Sequence, residues 1–188
     1  MTIAGKTVLI MATDGFEESE LFGPLEILTG RGAEVRLASP SLAPIQATVK
    51  DDPGKVIRPD LTIEQAKAAD FDALLLPGGV RNPDTLRTKA AAIALIRAFA
   101  EAAKPIAAIC HGPWLLVEAD LLRGRTATSW PSIRTDLVNA GATVVDRPAV
   151  VDGNIVTSRE PDDVVAFTEA LIALIEAGPT PAPAARKA

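Results

Sequence analysis

The sequence predicts a single α/β domain, a mostly parallel sheet with helices on both faces. Three observations carry that prediction. The chain has 188 residues, 48% of them hydrophobic and 23% charged, which is ordinary globular composition and about one domain's length. Short apolar or β-branched runs alternate with longer amphipathic stretches, the order that builds parallel sheets through helical crossovers. Several of the short runs are apolar throughout rather than alternating, as strands covered on both faces are.

Thr7 to Ala12 is the first such run. Glu18 to Gly30 follows as a helix with Leu21, Leu25 and Leu28 at helical spacing; Pro24 predicts a late start or a kink. Glu34 to Ala38 alternates like a strand, and Leu42 to Pro59, with its prolines and scattered valines, suits an excursion or small hairpin. Ala73 to Leu76 is a second buried strand, stopped by Pro77-Gly78-Gly79. Thr85 to Ala103 is alanine-rich and periodic, and predicts one long helix. Pro105 to Ile109 reads as a strand running into Cys110-His111-Gly112-Pro113, with a helix over Trp114 to Ala119 and Pro113 in its first turn. Strands are expected at Thr143 to Val145, Ala149 to Val151 and Ile155 to Thr157, the last two joined by Asp152-Gly153-Asn154. A helix over Asp162 to Glu176, opened by Pro161, closes the domain. The domain is expected to span 1–177, with a flexible Pro/Ala-rich tail over 178–188.

With 19 Lys and Arg against 24 Asp and Glu, the net charge is −5. That balance argues against nucleic acid and anionic membrane surfaces as partners, since both need a basic face. No apolar run approaches the roughly 20 residues of a membrane helix, and no signal peptide is recognisable, so a cytoplasmic protein is expected. The single cysteine and single histidine leave no ligand set for a structural zinc, and no metal or other cofactor is expected.

Ligands of open α/β sheets bind beyond the carboxyl ends of the strands. Three strand ends carry unusual residues: Asp14 to Glu20, Pro77-Gly78-Gly79 and Cys110-His111-Gly112-Pro113. Most free cysteines are small buried hydrophobes. Cys110, however, sits where a strand turns sharply into a helix, and a helix N-terminus lowers a thiol pKa and favours a thiolate nucleophile. His111 serves as a general base only if the turn twists it back toward sulfur; otherwise it is a histidine held in the loop by a carboxylate. Glu17 and Glu20, three apart, share a helical face, whereas Glu18 points elsewhere. A carboxylic acid beside the thiol would have its pKa raised by desolvation and could donate to sulfur or shuttle a proton. Gly78-Gly79 is either a tight turn or, with the His111 N–H, a cradle for an oxyanion. Trp114 and Trp130 read as packing or pocket-wall residues.

Asp14-Gly15-Phe16-Glu17-Glu18-Ser19-Glu20-Leu21, Leu74-Leu75-Leu76-Pro77-Gly78-Gly79, Ala108-Ile109-Cys110-His111-Gly112-Pro113 and Thr157-Ser158-Arg159-Glu160-Pro161-Asp162-Asp163 occur in that order. Together they resemble the PfpI family of the DJ-1/PfpI superfamily, and the likeness runs from Lys6 to Ala177. The resemblance implies a flavodoxin-like fold with a nucleophile elbow at Cys110. It implies Glu20 as the acid bonded to sulfur, Glu17 in the same pocket, and Gly79 and His111 as backbone donors. It further implies a homodimer or larger homo-oligomer in which Asp84 of a neighbouring subunit approaches His111, with Asp where the peptidase branch often carries Glu. The implied activities are a glyoxalase or deglycase acting on reactive carbonyls or glycated protein, an intracellular cysteine peptidase, and a non-enzymatic redox sensor or chaperone for unfolded protein. Cofactor-free glyoxalase or deglycase chemistry fits the residues best.

Overall fold

In the computed structural model, which describes residues 2–178, a seven-stranded sheet forms the centre. The elements run β1 (Thr7–Met11), β2 (Phe16–Glu17), α1 (Glu18–Gly30), β3 (Glu34–Ser39), β4 (Ile45–Val49), β5 (Asp52–Ile57), β6 (Leu61–Thr62) and β7 (Ala73–Leu76). Then come α2 (Arg81–Arg87), α3 (Ala90–Glu101), β8 (Ile106–Ile109), α4 (Pro113–Glu118), β9 (Thr126–Ala127) and α5 (Arg134–Asn139). The chain closes with β10 (Thr143–Val144), β11 (Ala149–Asp152), β12 (Ile155–Ser158) and α6 (Val164–Ala177). The main sheet has the order β11-β12-β8-β7-β1-β3-β6. Every pairing in it is parallel except β11 with β12.

Because side chains alternate along a strand, the central strands feed two cores. Leu9, Leu74, Leu76 and Ile106 pack with Leu86, Ile96, Phe99 and Leu115 from α2, α3 and α4. Val8, Ile10, Leu75 and Val156 pack on the other face with Leu21 and Leu28 of α1 and Phe167 and Leu171 of α6. Both faces are covered, which is why these strands read as unbroken apolar runs.

Register places the three strand ends singled out in the sequence side by side. Ile10 pairs with Leu75, and Leu76 with Ala108, so the loops after β1, β7 and β8 leave one edge of the sheet from adjacent strands. The excursion at 42–59 is an antiparallel hairpin of β4 and β5, attached through β4 to the two-residue β2.

Two local expectations are corrected. The long helix over Thr85 to Ala103 is two helices: α2 begins at Arg81, and the chain is extended at Lys89 before α3. The Thr88 hydroxyl donates to Thr85 O at 2.8 Å and closes α2. Leu86 and Ile93 face one core on both sides of the break, so the periodicity runs through it. Of the two outcomes expected at Pro24, the late start does not occur: α1 starts at Glu18 and contains the proline. Among the described residues no helix is long and apolar enough to cross a membrane. The tail expected from 178 lies outside the described residues beyond Gly178.

Candidate active site

Cys110 follows β8 directly and has φ +62°, a left-handed backbone that a residue with a Cβ adopts only under constraint. The constraint is visible in the hydrogen bonds. The Cys110 N–H donates to Ser158 O at 3.1 Å, Trp130 N–H donates to Cys110 O at 2.9 Å, and Gly112 N–H donates to Ile109 O at 2.8 Å. A Cβ on Gly112 would lie 2.6 Å from Leu76 O, so only glycine lets the elbow fold back against the neighbouring strand end. Pro113 then starts α4, where its missing N–H is of no consequence.

The elbow turns the sulfur toward backbone donors: the N–H groups of Gly79 and His111 both hydrogen-bond it. Gly79 reaches this position with φ +74°, and a Cβ there would collide with Gly15 O. The Gly78 N–H is committed differently. It donates to Glu20 Oε2 at 2.8 Å, so of the two glycines read as an oxyanion cradle, one faces sulfur and the other holds the acid.

Glu20 is fully buried on the first turn of α1. Its buried Oε1 has no hydrogen-bond partner, and the carboxyl interacts with the neighbouring Cys110 thiol. Burial pushes its carboxyl up to about 8, with the nearby Glu17 carboxylate adding and the Gly78 N–H opposing. Glu17 itself is shifted up by burial, while accepting from Lys50 N–H at 3.2 Å. Glu18 points away as its spacing predicts, bonded to the Lys55 N–H at 2.7 Å and paired with its ammonium at 3.2 Å.

The thiol departs from expectation. Instead of being lowered by the helix end, Cys110 is pushed up, first by burial and then by the Glu20 carboxylate. The helix after it has only six residues, too short for its dipole to offset desolvation. Cys110 and Glu20 therefore hold their protons as a coupled pair. Once one proton leaves, sulfur has two N–H donors and the carboxyl only one. A thiolate at Cys110 would have those two N–H donors and a neutral Glu20 carboxyl beside it.

The turn does twist His111 back: its Nδ1 lies 3.3 Å from Cys110 Sγ. Its Nε2 lies 3.3 Å from Ser132 Oγ rather than against a carboxylate. Trp130 stacks on the ring at 6.1 Å and Trp114 meets it edge-on at 5.2 Å. Burial lowers its pKa, so the imidazole is neutral near pH 7.

Glu17, Glu20, Gly79, Cys110 and His111 thus line one cavity of about 520 Å³. Its remaining wall comes from Lys50 and Asp51 at the hairpin tip, Val80, Trp130, and Glu160 to Asp162. A second depression of about 320 Å³ adjoins it across Lys50, Asp51 and Val80 but contains neither the thiol nor its partners. Asp84 is exposed on α2 and does not line the cavity. Sequence reasoning did not single out Asn82, Ser132 or the hairpin tip. The turn carrying Lys50 and Asp51 could have been suspected, because an excursion following the first strands of a sheet must fold over one of its edges.

A strained cysteine elbow at the carboxyl edge of a parallel sheet, with a buried acid on its sulfur, defines a class of thiol-centred α/β proteins. The chain belongs to the DJ-1/PfpI family, whose model matches residues 6–174. It is 40% identical over 169 residues to Deglycase PH1704 of Pyrococcus horikoshii, covering 90% of this chain and 99% of that one. It is 41% identical over 174 residues to General stress protein 18 of Bacillus subtilis, covering 92% of this chain and 99% of that one. Among solved structures, Drosophila melanogaster DJ-1beta superposes with a TM-score of 0.81 at 30% identity, covering 91% of each chain.

Proposed function

We propose that this protein is a cysteine-dependent stress-defence enzyme that acts on reactive dicarbonyls and on their adducts with amines, as a cofactor-free glyoxalase and deglycase. The observation that carries the reading is the shared placement of Cys110 Sγ, two backbone N–H donors and a buried carboxyl that stays protonated up to about pH 8. The names of the relatives support it, one of them a deglycase and another a stress protein.

The chemistry follows from the geometry. As the Cys110 sulfur bonds to the aldehyde carbon of methylglyoxal, its proton passes to neutral His111 Nδ1, 3.3 Å away, and the oxyanion that forms takes the N–H groups of Gly79 and His111 that sulfur releases. Glu20 gives its proton to that oxygen, becomes a carboxylate, and removes the hydrogen on the former aldehyde carbon. The resulting enediolate takes that proton back from Glu20 at the adjacent carbon while its hydroxyl proton passes to the neighbouring oxygen, which leaves a lactyl thioester, so one carbon is oxidised as its neighbour is reduced. Water then cleaves the thioester to lactate and frees the thiol. With an amine adduct, the amine departs from the same carbon as sulfur attacks, taking a proton from Glu20 or from His111 once it has received the thiol proton. The cavity of about 520 Å³ is far larger than a three-carbon dicarbonyl needs, which leaves room for the side chain of an adduct. A free thiol nucleophile suits a reducing compartment such as the cytoplasm.

A second reading, peptide hydrolysis, is favoured by the 3.3 Å contact between sulfur and His111 Nδ1. It needs a carboxylate on the imidazole, which Asp84 would supply only from a second copy of the chain in a homodimer or larger assembly.

The deciding measurement is methylglyoxal loss and lactate formation by wild type, Cys110→Ser and Glu20→Gln, without glutathione or metal. Turnover by wild type that both substitutions reduce by at least 100-fold supports the dicarbonyl reading. A folded wild type with no turnover overturns it, and Cys110-dependent peptide cleavage lost in Asp84→Ala would establish the second.

A further inference from the structure

Asn82 is a fully buried polar side chain with no part in the chemistry described above. Its Nδ2 donates to Pro77 O at 2.9 Å and to Gly78 O at 3.1 Å, and its Oδ1 accepts from Thr13 N–H at 2.8 Å. Only this orientation of the amide satisfies all three, since the two carbonyls need donors and the Thr13 N–H needs an acceptor.

A trans peptide unit is planar, and its C=O and N–H point in opposite directions. Pro77 C=O shares its peptide with Gly78 N–H, the donor that holds Glu20. Gly78 C=O shares its peptide with Gly79 N–H, a donor to sulfur. One side-chain amide therefore grips the back of both peptide planes whose fronts face the acid and the nucleophile. Without it, Gly78 O keeps only a long 3.4 Å bond from Glu17 N–H, and a Pro-Gly-Gly turn has little intrinsic preference for one orientation. The Thr13 contact ties the same turn to the end of β1.

We infer that Asn82 is a positioning residue that holds the Gly78 and Gly79 peptides in the orientation serving Glu20 and the Cys110 sulfur, so that the donor set stands formed before substrate arrives. The residue acts only through the two peptides and touches neither sulfur nor substrate. The catalytic consequence rests on the dicarbonyl reading; the effect on the thiol does not.

The test is the pH dependence of Cys110 alkylation by iodoacetamide in wild type, Asn82→Leu, Asn82→Asp and a core control, Leu95→Ala. Leu keeps the branched shape without donors, and Asp keeps the acceptor for Thr13 while losing the Nδ2 donors. Both Asn82 variants are expected to move the alkylation midpoint up by about one pH unit, slowing the reaction about tenfold below it. Where methylglyoxal is turned over, their kcat falls about tenfold with KM nearly unchanged. Leu95→Ala, in the α3 core, is expected to lower Tm without moving the midpoint. Folded Asn82→Leu and Asn82→Asp proteins with the wild-type profile would overturn the inference, as would a Leu95→Ala profile displaced as far. Because alkylation uses no dicarbonyl, a wild type inactive on methylglyoxal would refute the proposed function and leave this result to stand or fall separately.

Discussion

A carboxyl that stays protonated to about pH 8 in the folded protein, against an ordinary value of 4.5, makes stability depend on pH in a calculable way. The perturbation is Glu20→Gln, made in a Cys110→Ser background so that the acid titrates without the thiol. Glutamine keeps the shape and can still accept from the Gly78 N–H, but cannot ionise. Between pH 4.5 and 8 the unfolded chain has released the Glu20 proton while the folded chain retains it. The folded state thus binds more protons, and the linkage makes stability fall as pH rises, by about 1.4 kcal/mol per unit. At pH 7 the accumulated cost is about 3 kcal/mol, most of the way to its limit near pH 8. The assay is urea unfolding from pH 5 to 8.5, followed by tryptophan fluorescence, with Trp114 and Trp130 reporting from the site. Other titrating groups cancel in the difference between the two proteins, so the Gln variant should gain stability relative to its parent steadily up to about pH 8 and then level off. A difference that is flat between pH 5.5 and 7.5, or that shrinks, would refute the reasoning, because Glu20 would then be ionised in the fold and unable to give a proton to an oxyanion.

Gly78→Ala places a Cβ 2.5 Å from Glu20 Oε2 and 2.6 Å from Cys110 Cβ. It is expected to displace the acid, lowering kcat about 100-fold or more in the lactate assay, with stability falling by about 1–3 kcal/mol. Lys104 lies far from the chemistry and donates to Ala68 O and Phe71 O, each at 2.6 Å, closing the short turn before β7. Lys104→Met retains the aliphatic stem but loses those bonds, and urea unfolding should show a loss of about 2 kcal/mol with lactate formation unchanged.

Much of this arrangement is local, and what is local was legible. The apolar runs at Thr7 and Ala73 mark strands because both faces of a parallel sheet are buried. Glu17 and Glu20 meet in one cavity and Glu18 does not, as their spacing suggested, although Glu17 ends β2 in extended backbone and only Glu18 and Glu20 belong to α1. The Cys110 elbow could be anticipated from a strand that ends abruptly before Gly112-Pro113. The break at Lys89 was hidden, since Leu86 and Ile93 serve one core from two helices and keep the rhythm of one.

The chain order of strand, turn and helix thus determined the fold class, the edge of the sheet that carries the candidate site, and the elbow at Cys110. Only the tertiary structure decided how the site is wired. It sends the Gly78 N–H to the acid and the Gly79 N–H to sulfur, brings Ser132 to His111 from 21 residues away, and spans the 69 residues between Thr13 and Asn82 with a hydrogen bond. It also reversed the expected direction of the thiol pKa, because burial outweighs a six-residue helix. Desolvation and long-range hydrogen bonds depend on which distant segments close over a group, and neither has a counterpart in local spacing.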